Sequence, residues 1–156
     1  MDNDKFFLLR AIEIASQGIS EGGGPFGAVI VKDDKIISEA GNKVVLNNDP
    51  TAHAEILAIR QASLILKSFE LKDCTLYTSC EPCPMCLGAI YWSGISKVVY
   101  SCDRTDAERA GFSDKLIYNE IMLNPSERKI AFIRLTDCGG KKIFREWDEL
   151  ENKISY

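Results

Sequence analysis

The sequence predicts an α/β protein, a three-layer α/β/α sandwich around a five-stranded mixed sheet. Three observations lead there. A hairpin is legible near the start, in "FGAVIV" and "KIISEA". Strand-like and helix-like segments then alternate, the pattern of helices packed on a sheet. The length of 156 residues, 46% hydrophobic and 27% charged, suits a single domain with one core, spanning 1–156.

Each element has its own signal. Residues 4–19 read as a helix, with Phe6, Phe7, Leu9, Ile12 and Ile14 apolar, and "EGGGPF" (21–26) reads as a loop. The hairpin turns at Asp33-Asp34, and "AGNKVVLNN" after it is loop-like. In "DPTAHAEILAIRQASLIL", Asp49 can cap a helix and Pro50 suits its first position. That helix is apolar on nearly every face, which predicts burial. "CTLYTS" (74–79) is a third strand, and "EPCPMCLGAIYWSG" is a turn leading into a helix that Gly94 ends. "KVVYS" (97–101) is a fourth strand, "DKLIYNEIML" a helix, "KIAFIRL" the fifth strand and "FREWDELEN" a last helix. The chain shows no repeat, low-complexity tract or linker.

Charge and hydropathy exclude some classes of function. A net charge of −4 argues against a general nucleic-acid binder, which carries a basic face. The most apolar stretch, "AEILAIRQASLILK", is interrupted by Arg60 and Gln61 and is too short to span a membrane. The opening "MDNDKFFLLR" lacks the basic and apolar regions of a signal peptide, so the expected location is cytoplasmic. Thiols stay reduced there, and a tight cysteine cluster is then metal-binding or catalytic rather than disulfide-bonded.

Such a cluster exists. "SCEPCPMC" (79–86) puts three of the six cysteines into eight positions, as the overlapping pairs Cys80/Cys83 and Cys83/Cys86. Pro82 pushes Glu81 into an extended conformation and leaves Cys80 at the end of the strand. Pro84 suits the first turn of the next helix, which places Cys83 and Cys86 at its N-terminus on one face. The partial positive charge there favours thiolates, the metal-binding form. A redox pair would follow the first strand rather than the third; Cys74, Cys80, Cys102 and Cys138 read as buried small hydrophobes. The one histidine, His53, lies two residues before Glu55. Residues i and i+2 of a helix do not share a face, so the two converge on one site only by straddling a helix tip.

H-A-E followed by P-C-P-M-C resembles the zinc-dependent nucleobase deaminases of the cytidine/deoxycytidylate deaminase superfamily. The resemblance implies one Zn²⁺ per chain on His53, Cys83 and Cys86, with a fourth position left for water. Zinc lowers that water's pKa to about 7. Glu55, beside the metal, would take the water's proton and deliver protons to the ring nitrogen and the leaving amine. A closed structural site with Cys80 as fourth ligand would leave Glu55 without a role.

Within the superfamily, "GGPFGAVIVKDD", "NNDPTAHAEILAIR", "LYTSCEPCPMCLGAIYW" and "TDAERAGFSDKLIY" look like the bacterial guanine deaminase family through most of the chain. That resemblance implies a purine pocket. Phe26 would stack on the ring, Asn42 would bond the purine edge, and the Ala54 amide would meet a substrate oxygen. Trp92 would line the wall, Asp114 would supply a second carboxylate near the amine, and Tyr156 would close the site. It also implies a homodimer with exchanged C-terminal segments. The alternatives are a tRNA adenosine deaminase, whose members share the H-A-E and P-C-x-x-C parts, a cytosine or other small-base deaminase, and a non-enzymatic zinc-binding module.

Overall fold

Strand β1 (Gly27–Lys32) is buried along almost its whole length, the mark of a strand covered on both faces. The computed structural model describes residues 3–155. Among these, β1 pairs antiparallel with β2 (Lys35–Gly41) on one side and with β3 (Thr75–Cys80) on the other; β4 (Lys97–Cys102) joins β3 in parallel. The order β2-β1-β3-β4 is a mixed sheet. The hairpin turn at Asp33-Asp34 has both residues at positive φ, 49° and 56°, the geometry that matches the right-handed twist of the flanking strands.

Alternate residues of β1 serve two cores. Val29 and Val31, with Tyr77 from β3, pack on Phe7, Ala11 and Ile14 of helix α1 (Asn3–Ser20). Ala28 and Ile30, with Leu76, pack on Ala54, Ala58 and Ala62 of helix α3 (Ala54–Leu66) and on Ile90 of helix α4 (Pro84–Ser93). Helices on both faces of the sheet make the expected three layers. Helix α1 lies close to β1 because residue 27 is glycine: a Cβ there would meet the Ala11 carbonyl oxygen and, at 2.7 Å, the Ala15 nitrogen. Arg10 ties the same helix to β2, with Nε 2.7 Å from Glu39 Oε1 and a second terminal nitrogen 2.9 Å from Oε2.

Several expectations need correction. The sheet has four strands among the described residues, and 129–135 forms none. A strand needs a neighbour's ladder, and this segment has none among the described residues. Helix α3 begins at Ala54, with His53 as N-cap, not at Pro50. Asp49 instead closes a short turn, its Oδ1 accepting from the Thr51 amide at 2.8 Å and hydroxyl at 2.7 Å. The C-terminal half of α3 is less buried than its composition predicts, with Leu64 78% exposed. The loop-like "AGNKVVLNN" contains a four-residue helix, α2 (Val44–Asn47), and "RTDAER" forms α5 (Arg104–Arg109). Asp103 caps α5 in a reciprocal box with Asp106.

The chain divides into two compact units, one ending at Asp114 and the other beginning at Lys115. The second holds α6 (Lys115–Ile121), a 3₁₀ turn (Pro125–Glu127) and α7 (Gly140–Asp148). None of its described residues is buried, and Met122, Ile130, Ile133, Leu135 and Phe144 are among the most exposed apolar side chains of the chain.

Candidate active site

Two helix N-termini build the site. His53 leaves the preceding segment in extended conformation (φ −68°, ψ 152°) as the N-cap of α3. The Lys43 amide holds that segment by donating to the Ala52 carbonyl at 2.9 Å. Cys83 is the N-cap of α4, also extended, followed by Pro84 in the first turn. Cys86 lies one turn on. The resulting geometry is tight: His53 Nδ1 lies 3.5 Å from Cys83 Sγ and 3.5 Å from Cys86 Sγ. The three ligand atoms lie within 4.8 Å of one another, and among the described residues this is the one such cluster.

The donor set can be tested against zinc. Ligand bonds of 2.0–2.3 Å in tetrahedral geometry separate N and S by about 3.6 Å, close to the observed spacing. The protonation of the cluster points the same way. The Cys83 thiol is lowered to about 4, chiefly by the hydrogen bond it shares with Cys86 and also by His53. Cys86 is pushed up by that same bond and by burial, while the contact with Cys83 raises His53. Two thiols and a ring nitrogen gathered this closely compete for protons, which a bound dication would displace. Cys80, buried at the end of β3, instead donates its thiol to the Asp103 carbonyl at 3.5 Å. It is absent from the three-ligand cluster, so the arrangement leaves the open fourth position of a catalytic centre.

Glu55, in the first turn of α3, is 5% exposed. Burial raises its carboxyl above the ordinary value, which suits a group that must both take and return a proton. Thr78 of β3 donates its hydroxyl to Glu55 Oε1 at 3.4 Å. His53 and Glu55 thus sit on the two sides of a helix tip, as their spacing requires.

The remaining candidates fall into three groups. Phe26 and Asn42 adjoin one another, the Asn42 amide donating to the Phe26 carbonyl at 3.0 Å. The glycine loop before Phe26 wraps Asn42: a Cβ on Gly24 would stand 3.0 Å from Asn42 Oδ1, which itself accepts from the Val44 amide. The buried Ala54 follows the N-cap of α3, where its amide is one of the unpaired donors of a helix start. Asp114 is raised, first by burial and then by the charges of Cys83 and Glu81, which puts its carboxyl in the electrostatic reach of the cluster. Trp92 lies 68% exposed near the end of α4, about 9 Å along the helix axis from Cys86. The structure does not gather it with the cluster. Tyr156 lies outside the described residues.

Two residues escaped the sequence reading. Phe112 packs edge-on against Phe26, with ring centroids 5.0 Å apart and planes at 85°. Thr78 is the other, read only as part of a strand. No motif marks either contact, because each partner lies far away in the chain.

Residues 1–102 match the family model described as the cytidine and deoxycytidylate deaminase zinc-binding region. The guanine deaminase of Bacillus subtilis (strain 168) is 52% identical over 155 residues, 99% of each chain. A solved X-ray structure of guanine deaminase from Bacillus subtilis superposes with a TM-score of 0.95, covering 97% of this chain and 98% of the other at 52% identity. A tRNA-specific adenosine deaminase of Buchnera aphidicola subsp. Baizongia pistaciae is more distant, 39% identical over 130 residues, 83% of this chain and 78% of its own. With the H-A-E and P-C-P-M-C residues folded around one three-ligand cluster, and with the family model covering nearly two thirds of the chain, this protein belongs to the cytidine and deoxycytidylate deaminase family.

Proposed function

We propose that the chain hydrolyses guanine to xanthine and ammonia. One observation carries the choice of substrate: the 52% identity to a guanine deaminase extends over 99% of both chains, so it includes the region beyond the shared zinc-binding part. His53, Cys83 and Cys86 would hold the zinc, which supplies a water of lowered pKa when bound. The chain's own residues do the rest. Glu55 takes the proton of the attacking water on its carboxylate. It passes that proton to the purine ring nitrogen, then takes the proton of the hydroxyl newly added to the ring carbon and gives it to the departing amine, which leaves as ammonia. Phe26 stacks on the purine, Asn42 and the Ala54 amide orient its edge, and Asp114 faces the amine.

The second unit completes the enzyme in a partner. The two units act as one deaminase domain, within a homodimer that exchanges its C-terminal segments. Three features support this reading. The second unit buries none of its described residues, which leaves its apolar side chains without a core. "KIAFIRL" has strand composition and no ladder, while β4 is an edge strand. The exposed Tyr91 and Trp92 of α4 offer an apolar surface to cover. The fifth strand and Tyr156 would then be supplied by the other subunit, with Trp92 at the pocket wall. Cysteine chemistry favours the cytoplasm, where the ligand thiols stay reduced.

Ammonia release with guanine, cytosine, adenine and a tRNA anticodon stem-loop tests the substrate. Guanine should be turned over fastest, with little dependence on salt, since a closed small-base pocket makes no phosphate contacts. Efficient conversion of adenosine in the stem-loop with guanine inert would establish the tRNA adenosine deaminase reading instead.

A further inference from the structure

A buried carboxylate that must transfer protons has to be held in one orientation. The structure offers few groups that can hold Glu55. Besides its own backbone amide, the side chain meets the Cys86 thiol and the Thr78 hydroxyl. The first of these is lost when Cys86 serves as a metal ligand, because a thiolate has no proton to donate. The Thr78 hydroxyl, 3.4 Å from Oε1, then remains as the neutral side-chain donor.

Thr78 is well placed for that role. It is 1% exposed and sits in β3, an interior strand of the sheet. Its backbone is fixed in register from both sides, opposite Ala28 of β1 and Tyr100 of β4. Branching at Cβ limits its χ1 rotamers further. Glu55, by contrast, is a longer, unbranched side chain in the first turn of a helix. We propose that Thr78 is the positioning residue of Glu55. Its O–H donates to Oε1, fixes the plane of the carboxylate and leaves Oε2 for proton transfer. The inference rests on the reading of Glu55 as the proton carrier.

Threonine and valine have nearly the same shape, so Thr78→Val removes the hydroxyl and little else, and Thr78→Ser restores it. In the zinc-loaded full chain, with rates normalised to zinc content, T78V should lower kcat on guanine about tenfold. KM should be unchanged, and T78S should recover most of the rate. A substrate-free measurement separates this inference from the choice of substrate. The infrared carboxyl band that E55Q removes should shift in T78V and return to its wild-type position in T78S. If T78V fails to fold, Thr78→Ala against Thr78→Ser isolates the hydroxyl in the same way. A band unmoved by loss of the hydroxyl overturns the proposal, whatever the enzyme's substrate. So does a T78V rate within about twofold of wild type, or a T78S enzyme as slow as T78V.

Discussion

Glu55 shows how much chemistry one buried carboxyl can carry. Its burial costs nothing in unsatisfied hydrogen bonds among the described residues, and that burial raises its carboxyl above the ordinary value. Glu55→Gln preserves shape but cannot accept a proton. It should keep its zinc and still bind purine, while kcat falls by about 10² or more; metal analysis, binding and turnover on one sample check all three. Cys80 makes the complementary case. It lies three residues from Cys83, but its thiol is directed to the Asp103 carbonyl, and burial raises it to about 11. Cys80→Ser should retain one zinc per chain and most activity, whereas Cys83→Ser should lose both. Loss of zinc from the Cys80 variant would assign a different ligand set.

Elements are held by local contacts whose consequences are measurable. Helix α1 approaches β1 only because Gly27 has no Cβ. Gly27→Ala should destabilise the fold by about 1–3 kcal/mol, read as a lower denaturant midpoint, because backbone atoms of the helix must move. The Arg10–Glu39 pair holds α1 to β2 at an edge where both side chains remain about one-third exposed. Arg10 lowers the folded-state pKa of Glu39 below 4.5. The stabilisation is therefore present above the ordinary carboxylate value and is lost as the pH falls through the lower folded value. Glu39→Gln should cost about 0.5–1 kcal/mol at pH 7, with the gap from wild type closing on acidification below 4.5 in paired denaturation curves.

At the scale of the molecule, the C-terminal unit sets the question. Its side chains include Ile130, Phe132, Ile133 and Leu135 in one run, all exposed in the single chain. The proposed exchange between subunits would give them a surface, and it would make each pocket depend on two chains. Deleting Ile154 to Tyr156 should leave fold, zinc and dimer intact while activity on guanine drops sharply. Refolding that truncated chain together with a Glu55→Gln chain then tests the sharing. Each is nearly inactive alone, yet some mixed dimers join an intact Glu55 to an intact C-terminus, and activity should return. Demonstrated mixed dimers without activity would mean that each pocket uses its own tail.

What was legible in the sequence is what local chemistry controls. Pro82 ends β3 before the cysteine pair, Pro84 opens α4, and Gly94 closes it at φ 68°; each acts through its own backbone dihedrals and amide. The spacing of His53 and Glu55 already required a helix tip. Capping misled where two readings shared the same residues: Asp49 and Pro50 satisfy a helix start, but Thr51 took the carboxylate first. Only the tertiary structure decided which elements meet. It brings His53 to within 3.5 Å of two thiols thirty and more residues away, sets Thr78 under Glu55, and stands Phe112 against Phe26. It also leaves 129–135 without a ladder, although that segment has the composition of a strand. A cap or a turn is settled within a few residues, whereas a metal cluster or a strand pairing depends on partners distant in the chain. The pattern of a segment records what it can bury or bond, and not who will be beside it.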